Sequence, residues 1–282
     1  KNIVEAMRLP FVVEGRELFV TISLGISLFP DDGDDSETLM VNADVAMYRA
    51  KELGRDNFQW FAAEMNVMAR ERMELEWHLR YAMQLGQLSL AYQPQCNAAG
   101  EVLAFEALMR WQHPTLGAVS PSRFIPMAED SSLIISLGEW ALRKACAQAA
   151  EWRKLGHPNL RISVNVSALQ FNRPDWVETV RNALRDTQLP PDALELEITE
   201  SLLLESERET TSNLLELRKL GVGVAIDDFG TGYSSLSYLH KLPISTLKID
   251  QSFVREIGTQ PSHGQEAAPI IRTIITLAHN LG

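Results

Sequence analysis

From Leu88 to its end the chain alternates strand-like with helix-like segments, and that alternation restricts its fold more than any other feature. Strand-like stretches fall at 88–96, 102–111, 161–167, 194–200, 221–228 and 246–251, with amphipathic helical patterns between most of them. Such an order predicts an α/β fold, because a strand buried on one face needs a covering helix before the next strand is laid beside it. A doubly wound sheet and an unfinished (β/α)8 barrel both suit it. The stretch from Leu88 to Gly282 is shorter than the roughly 250 residues of a complete barrel, so the barrel reading expects one or two final βα units to be missing.

The front of the chain reads differently. Phe19-Val-Thr-Ile-Ser-Leu-Gly-Ile-Ser-Leu-Phe29 predicts a strand, ended by a turn at Pro30-Asp-Asp-Gly33. Leu39, Ala43, Ala46, Met47 and Ala50 recur at helical spacing and predict a helix from Ser36 to about Lys51, stopped at Gly54. A second helical stretch, 64–86, carries Met65, Met68, Met73 and Met83, residues suited to irregular packing on a connecting helix. The expected organisation is a first domain over 1–62, a linker helix over 63–86 and a second domain over 87–282. Both ends read as cut, since Lys1 replaces an initiator Met and the sequence stops just after a helical pattern.

Charge excludes one class of partner. Lys and Arg number 26 against 37 Asp and Glu, a formal net charge of −11, so the overall field repels a DNA or RNA polymer. A small anion is still admissible where bound cations reverse the local field. The two cysteines, Cys96 and Cys146, form no CxxC pair and argue against a disulfide scaffold and against structural zinc, which suits a cytoplasmic protein. No apolar run reaches the roughly 18 residues that a membrane span needs, although domains upstream would allow tethering of the parent protein.

The strands share an oddity at their C-terminal ends. Glu106 lies in Phe105-Glu-Ala-Leu108, Asn165 in Ile162-Ser-Val-Asn-Val166, Glu197 in Leu194-Glu-Leu-Glu-Ile198, and Asp227-Asp228 close Val222-Gly-Val-Ala-Ile226. Alternation puts Glu195, Glu197 and Thr199 on the face opposite Leu194, Leu196 and Ile198. In parallel α/β folds such strand ends converge on one rim, where active sites form. Carboxylates crowded together require a compensating cation, and oxygen-only ligands favour Mg²⁺ or Mn²⁺ over Zn²⁺. Adjacent Asp227 and Asp228 suit two ions roughly 3.5 to 4 Å apart, an arrangement that clamps a phosphoryl group during ester hydrolysis. Lys248, in Thr246-Leu-Lys-Ile-Asp250, offers a positive charge to a phosphate or oxyanion, and Arg110 a forked contact to a second phosphate.

Each residue has a plainer explanation taken alone. Asp227-Asp228 in a Gly-rich stretch makes an ordinary turn, Glu195, Glu197 and Glu200 one exposed strand face, and Lys248 a solvated strand residue. Repetition at successive strand ends is what makes those explanations fail together. His113 in Gln-His-Pro and His157 in Gly-His-Pro sit in turn contexts and read as structural or exposed. No His is assigned a role, and Asp31 to Asp35 read as a solvated turn.

These pieces, in this order, resemble the EAL family of cyclic di-GMP phosphodiesterases. Phe105-Glu-Ala-Leu-Met-Arg-Trp111 carries the signature. Matching blocks are Tyr92-Gln-Pro94, Phe124-Ile-Pro-Met-Ala-Glu129, Asn165-Val-Ser167, Glu197-Ile-Thr-Glu200, Asp227-Asp-Phe-Gly-Thr-Gly-Tyr-Ser-Ser235 and Leu247-Lys-Ile-Asp250. The resemblance implies a modified (β/α)8 TIM-like barrel that uses Mg²⁺ or Mn²⁺ to hydrolyse cyclic di-GMP to linear pGpG, and a homodimer. It implies metal ligation by Glu106, Asn165, Glu197 and Asp227, with Asp227 bridging and Asp228 serving the second ion. Lys248 would position the hydrolytic water or stabilise charge, Gln93, Leu108 and Arg110 would contact the nucleotide, and Glu200 would hold the 229–235 loop. The resemblance also implies a further Glu, in an Ala-Glu-Gly-Val-Glu-like block, and a guanine-contacting Gln, both expected after Gly282. Two alternatives to hydrolysis by this chain therefore stay open, a non-catalytic cyclic di-GMP receptor and an inactive fragment.

The front segment resembles the last part of a GGDEF domain. Val20-Thr-Ile-Ser-Leu-Gly-Ile26 and Ala43-Asp-Val-Ala-Met-Tyr-Arg-Ala-Lys-Glu-Leu-Gly-Arg-Asp-Asn57 match its final strand and helix, with Lys51 and Arg55 facing GTP phosphates. The Gly-Gly-Asp-Glu-Phe block does not occur in the sequence, so no diguanylate cyclase activity is expected of this chain.

Overall fold

A computed structural model describes residues 2–13, 16–205, 207–230, 242–256 and 264–281. The chain divides into two compact units, Lys1–His78 and Leu79–Gly282.

The first unit contains α1 (Asn2–Met7), β1 (Phe11–Val13), β2 (Arg16–Leu18), β3 (Leu24–Ile26), α2 (Ser36–Glu52), β4 (Phe58–Trp60) and most of α3 (Ala63–Ala82). Helix α2 starts where Asp35 caps it, its carboxylate accepting from the Thr38 N–H at 2.8 Å and the Thr38 hydroxyl at 3.0 Å. Asp35 is therefore a cap and not simply part of a solvated turn, and the Thr38 hydrogen bonds hold its pKa below the usual value. The strand expected over 19–29 is much shorter. Only Leu24–Ile26 pairs, in parallel with Phe58–Trp60, because the apolar run is longer than the ladder available to it. Gly25 lies so close to α2 that a Cβ there would meet the Ala43 carbonyl at 1.8 Å. A cavity of about 220 Å³ lies between α2 and α3, lined by Val45, Tyr48, Met65 and Met68, with the Arg72 guanidinium 4.4 Å from the Tyr48 ring centre.

The second unit is built on β5 (Leu88–Cys96), β6 (Val102–His113), β7 (Gly117–Val119), β8 (Arg161–Asn165), β9 (Leu194–Thr199), β10 (Gly223–Phe229) and β11 (Thr246–Ile249). Its helices are α4 (Pro121–Asp130), α5 (Ile134–Lys154), α6 (Ala168–Phe171), α7 (Trp176–Thr187), α8 (Leu202–Glu205), α9 (Glu207–Leu220), α10 (Gln251–Glu256) and α11 (Gly264–Leu281). Strands lie in the order β5-β6-β8-β9-β10-β11, parallel from β6 onward, with β5 and β7 antiparallel to β6. That order follows the chain without reversal, as in a barrel, whereas a doubly wound sheet reverses at a switch point.

The two faces of the sheet differ. Ile162 and Val164 of β8, Leu194, Leu196 and Ile198 of β9, and Val224 and Ile226 of β10 bury into one core with Leu142, Ala145 and Ala149 of α5, Val180 and Leu184 of α7, and Leu214 and Leu217 of α9. Fully burying each such Leu or Ile contributes roughly 1.5–3 kcal/mol, which fixes register, because a slip of one residue would turn every apolar group outward. The opposite face carries Ser163, Glu195 and Glu197, and all three are buried. The exposed-face explanation of Glu195, Glu197 and Glu200 is thereby overturned. His113 is also buried, its Nδ1 accepting from the Thr115 and Leu116 N–H groups of the β6–β7 turn, while His157 is exposed.

Candidate metal centre

The acidic residues come together where the parallel ladders end, which for β6 is at Ala107, inside the strand. Glu106 projects from β6, Asn165 ends β8, Glu197 lies level with Asn165 on β9, and Asp227 lies level with Thr199 on β10. Between β10 and β11 the ladder is regular at Ile226↔Leu247 and resumes at Phe229↔Ile249. Asp227 and Asp228 therefore oppose the single residue Lys248, the two-against-one arrangement of a β-bulge. Asp228 takes up the distortion with φ +52°, a left-handed conformation that Asp tolerates better than most residues. The adjacent pair is a bulge and not a simple turn; the bulge brings the Asp227 carboxylate into the cluster, while Asp228 is exposed and hydrogen-bonds with Asp250.

A carboxylate oxygen from each of Glu106, Glu197 and Asp227 lies within 4.8 Å of the other two. The Lys248 ammonium stands among them, 2.5 Å from Glu197, 3.1 Å from Asp227 and 3.3 Å from Glu106. The Asn165 amide donates to Glu106 at 2.7 Å, and the Gln95 amide donates to Glu197 at 3.3 Å. Three carboxylates against one ammonium leave the cluster formally short of positive charge. Burial, opposed by Lys248 and reinforced by Glu106 and Asp227, raises the Glu197 pKa to about 7. Burial works against the Lys248 charge, but the hydrogen bond and charge of Glu197, with Glu106 and Asp227, outweigh it and hold that pKa above the usual lysine value. Burial and the Asp227 charge raise the pKa of Asp228, as does a side-chain hydrogen bond with Asp250. An all-oxygen donor set, partly withdrawn from water and carrying excess negative charge, fits a hard divalent cation.

The remaining expected residues surround this group. Glu200, buried at the end of β9, accepts from the Gly230 N–H at 3.0 Å, which ties it to the residue just after β10. Residues 231–235 of the loop it is expected to hold lie outside the described residues. Gln93 is exposed on β5 and pairs across the ladder with Glu106. Leu108 and Arg110 line a cavity of about 370 Å³ together with Pro121, Ile125 and Glu129 of α4 and with Asn165, Glu197 and Thr199. Gln95 carries no motif that singles it out, although period-two alternation from Gln93 points to it. Of the α4 residues beside the cavity, Ile125 and Glu129 fall in the Phe124–Glu129 block, which by itself gives them no role. Among the described residues no helix is long and apolar enough to cross a membrane.

The profile of the EAL domain matches residues 77–282. The chain belongs to the EAL domain family. Residues 1–57 match the diguanylate cyclase GGDEF domain. An uncharacterized signaling protein of Caulobacter vibrioides is 46% identical over 99% of this EAL-domain chain and 34% of its own length. The bifunctional diguanylate cyclase/cyclic di-GMP phosphodiesterase MucR of Pseudomonas aeruginosa is 42% identical over 100% of the chain and 41% of its own length. The chain thus spans between about a third and two fifths of these curated relatives. A solved structure described as the PaMucR phosphodiesterase in complex with c-di-GMP is 44% identical, with a TM-score of 0.71 over 74% of this chain and 83% of that one.

Proposed function

We propose that the site of this EAL-domain chain hydrolyses cyclic di-GMP to linear pGpG with Mg²⁺ or Mn²⁺, in two-ion form. The observation that carries this reading is the convergence of Glu106, Glu197 and Asp227 on Lys248 beside a cavity of ligand size. The names of the relatives support it, since MucR is a cyclic di-GMP phosphodiesterase and its solved structure is a c-di-GMP complex.

Glu106, Asn165, Glu197 and Asp227 would hold the first ion, with Asp227 shared and Asp228 completing the second. When bound, the ions supply Lewis acidity toward the scissile phosphate and the attacking water. The chain's own groups do the rest. Asn165 and Gln95 orient the Glu106 and Glu197 carboxylates by donating to them. Lys248 offers a preorganised positive charge where negative charge develops on the phosphoryl oxygens. Leu108 and Ile125 supply apolar walls for a flat base, Arg110 and Gln93 supply donors to phosphate or nucleotide, and Glu200 anchors the chain just beyond Asp228 through Gly230. Water adds to phosphorus, one P–O ester bond breaks, and the released ribose oxygen takes up a proton.

The test is incubation of the natural polypeptide carrying these residues with cyclic di-GMP and Mn²⁺, with product followed by chromatography. Formation of pGpG that disappears on chelation and in Glu106→Ala is the expected result. Binding of cyclic di-GMP by calorimetry with no pGpG under Mg²⁺ or Mn²⁺ would replace this reading with that of a receptor.

A further inference from the structure

A second polar layer lies beneath the acidic cluster. Side chains alternate along a strand, so the residue two positions before each site residue points the same way one step lower. That residue is Ser163 below Asn165, Glu195 below Glu197 and Thr246 below Lys248. Glu195 is 7% exposed, and its carboxylate accepts from the Thr246 hydroxyl at 2.7 Å, the Ser245 hydroxyl at 3.1 Å and the Ser163 hydroxyl at 3.5 Å. Ser245 also lies 2.8 Å from the Val224 carbonyl and has a single proton to donate, so the Thr246 contact is the firm one.

The link from Glu195 to Thr246 crosses a strand. β10 lies between β9 and β11, and the β10 residue level with Glu195 is Gly223. A Cβ at Gly223 would lie 3.2 Å from the Ser245 hydroxyl and 3.5 Å from Glu195 Oε1. The missing side chain leaves the path open, and two strands that share no backbone ladder are joined over it. β11 needs such a tie. It pairs with β10 through Thr246, Leu247 and Ile249, and the ladder is interrupted opposite Lys248. Lys248, however, must place its nitrogen against carboxylates from β6, β9 and β10 together.

We propose that Glu195 is a positioning residue: it clamps β11 to β9 through Thr246, across Gly223, and so sets where Lys248 stands against Glu197. The catalytic consequence rests on the hydrolytic reading given above, whereas the clamp itself does not. Glu195 needs no contact with substrate for this role.

Two measurements test it on the natural polypeptide and its Glu195→Ala, Thr246→Val and Thr246→Ser variants. Thr246→Val keeps the shape and deletes the donor, and Thr246→Ser restores the donor. By hydrogen-exchange mass spectrometry, protection over 246–249 falls about tenfold or more in Glu195→Ala and Thr246→Val. It returns in Thr246→Ser, while 161–165 and 194–199 exchange as in the parent. Unchanged protection over 246–249 in Thr246→Val overturns the clamp, and so does an equal loss over all three segments. In the hydrolysis assay Thr246→Val lowers kcat roughly 10- to 100-fold, the scale of a misplacement near 1 Å, with KM within about twofold. Combined with Lys248→Ala it adds nothing further. Losses that multiply in the double variant overturn the positioning of Lys248. A parent protein that hydrolyses nothing sinks the proposed function, and the exchange measurement still decides the clamp.

Discussion

Lys248 Nζ lies 2.5 Å from a Glu197 carboxylate whose side chain is 0% exposed, the shortest of its three contacts with the acidic cluster. Lys248→Ala leaves Glu106, Glu197 and Asp227 facing one another without that cation. Removing one partner of a buried pair costs about 3 kcal/mol or more, so the metal-free variant melts well below the parent. Mn²⁺ restores most of the difference, because the cation supplies the missing charge. A metal-free variant as stable as the parent would show that the pair contributes nothing net.

The same carboxylate makes stability depend on pH. The folded-state pKa of Glu197 is raised from 4.5 to about 7 by burial. The folded protein therefore binds this proton more tightly than the unfolded chain does. The stabilisation is complete below pH 4.5 and is lost as the pH rises toward and through 7. Lys248, with its pKa raised, remains protonated throughout that window and adds no slope. Metal-free melting temperatures should fall between pH 5 and pH 8, and the slope should flatten in Glu197→Gln. Divalent metal should stabilise more at pH 8 than at pH 5. Equal slopes in the parent and Glu197→Gln would assign the pH dependence to other groups.

Gly138 is the third point of sensitivity. A Cβ there would lie 2.0 Å from the Gln170 side-chain nitrogen, and Gln170 is 2% exposed. Gln170 closes a capping box with Ser167 at the start of α6, two residues after Asn165. Gly138→Ala must displace Gln170, so the expected cost is about 1–3 kcal/mol from overpacking and a disturbed cap. Urea denaturation measures it directly. Mn²⁺ affinity should fall as well, through Asn165, and full stability in Gly138→Ala would mean that Gln170 has room to move.

The convergence of acidic strand ends was legible in the sequence, because polar residues at the ends of apolar β segments have no use in a core. Asn165, Glu197 and Asp227 lie at or near the ends of their strands, whereas Glu106 lies inside the twelve-residue β6, near the end of its parallel ladder to β8 at Ala107. What escaped it depends on partners. The run Phe19–Phe29 has strand composition, yet a strand extends only as far as its ladder, here Leu24–Ile26. Gly117–Val119 is too short to show periodicity and becomes β7 because β6 extends to His113 and offers it an edge. Glu195 looks like one side of a solvated face in the sequence, and only the hydroxyls of β8 and β11 reveal it as buried. Two adjacent aspartates read as a turn until Lys248 is seen opposite both.

Asp228 separates backbone geometry from charge. Its φ of +52° costs most non-glycine residues of order 1 kcal/mol or more, and a β-branched side chain more still. Asn accepts this conformation nearly as well as Asp, and Gly accepts it without strain. Asp228→Asn and Asp228→Gly should therefore melt within a few degrees of the parent, and Asp228→Val should be destabilised by about 1–3 kcal/mol. If the Asp228 carboxylate completes the second ion, all three variants lose hydrolysis of cyclic di-GMP. Calorimetry should then count one Mn²⁺ in Asp228→Asn where the parent takes two. An Asp228→Asn variant that hydrolyses normally and keeps both ions would confine Asp228 to shaping the bulge that turns Asp227 toward Lys248.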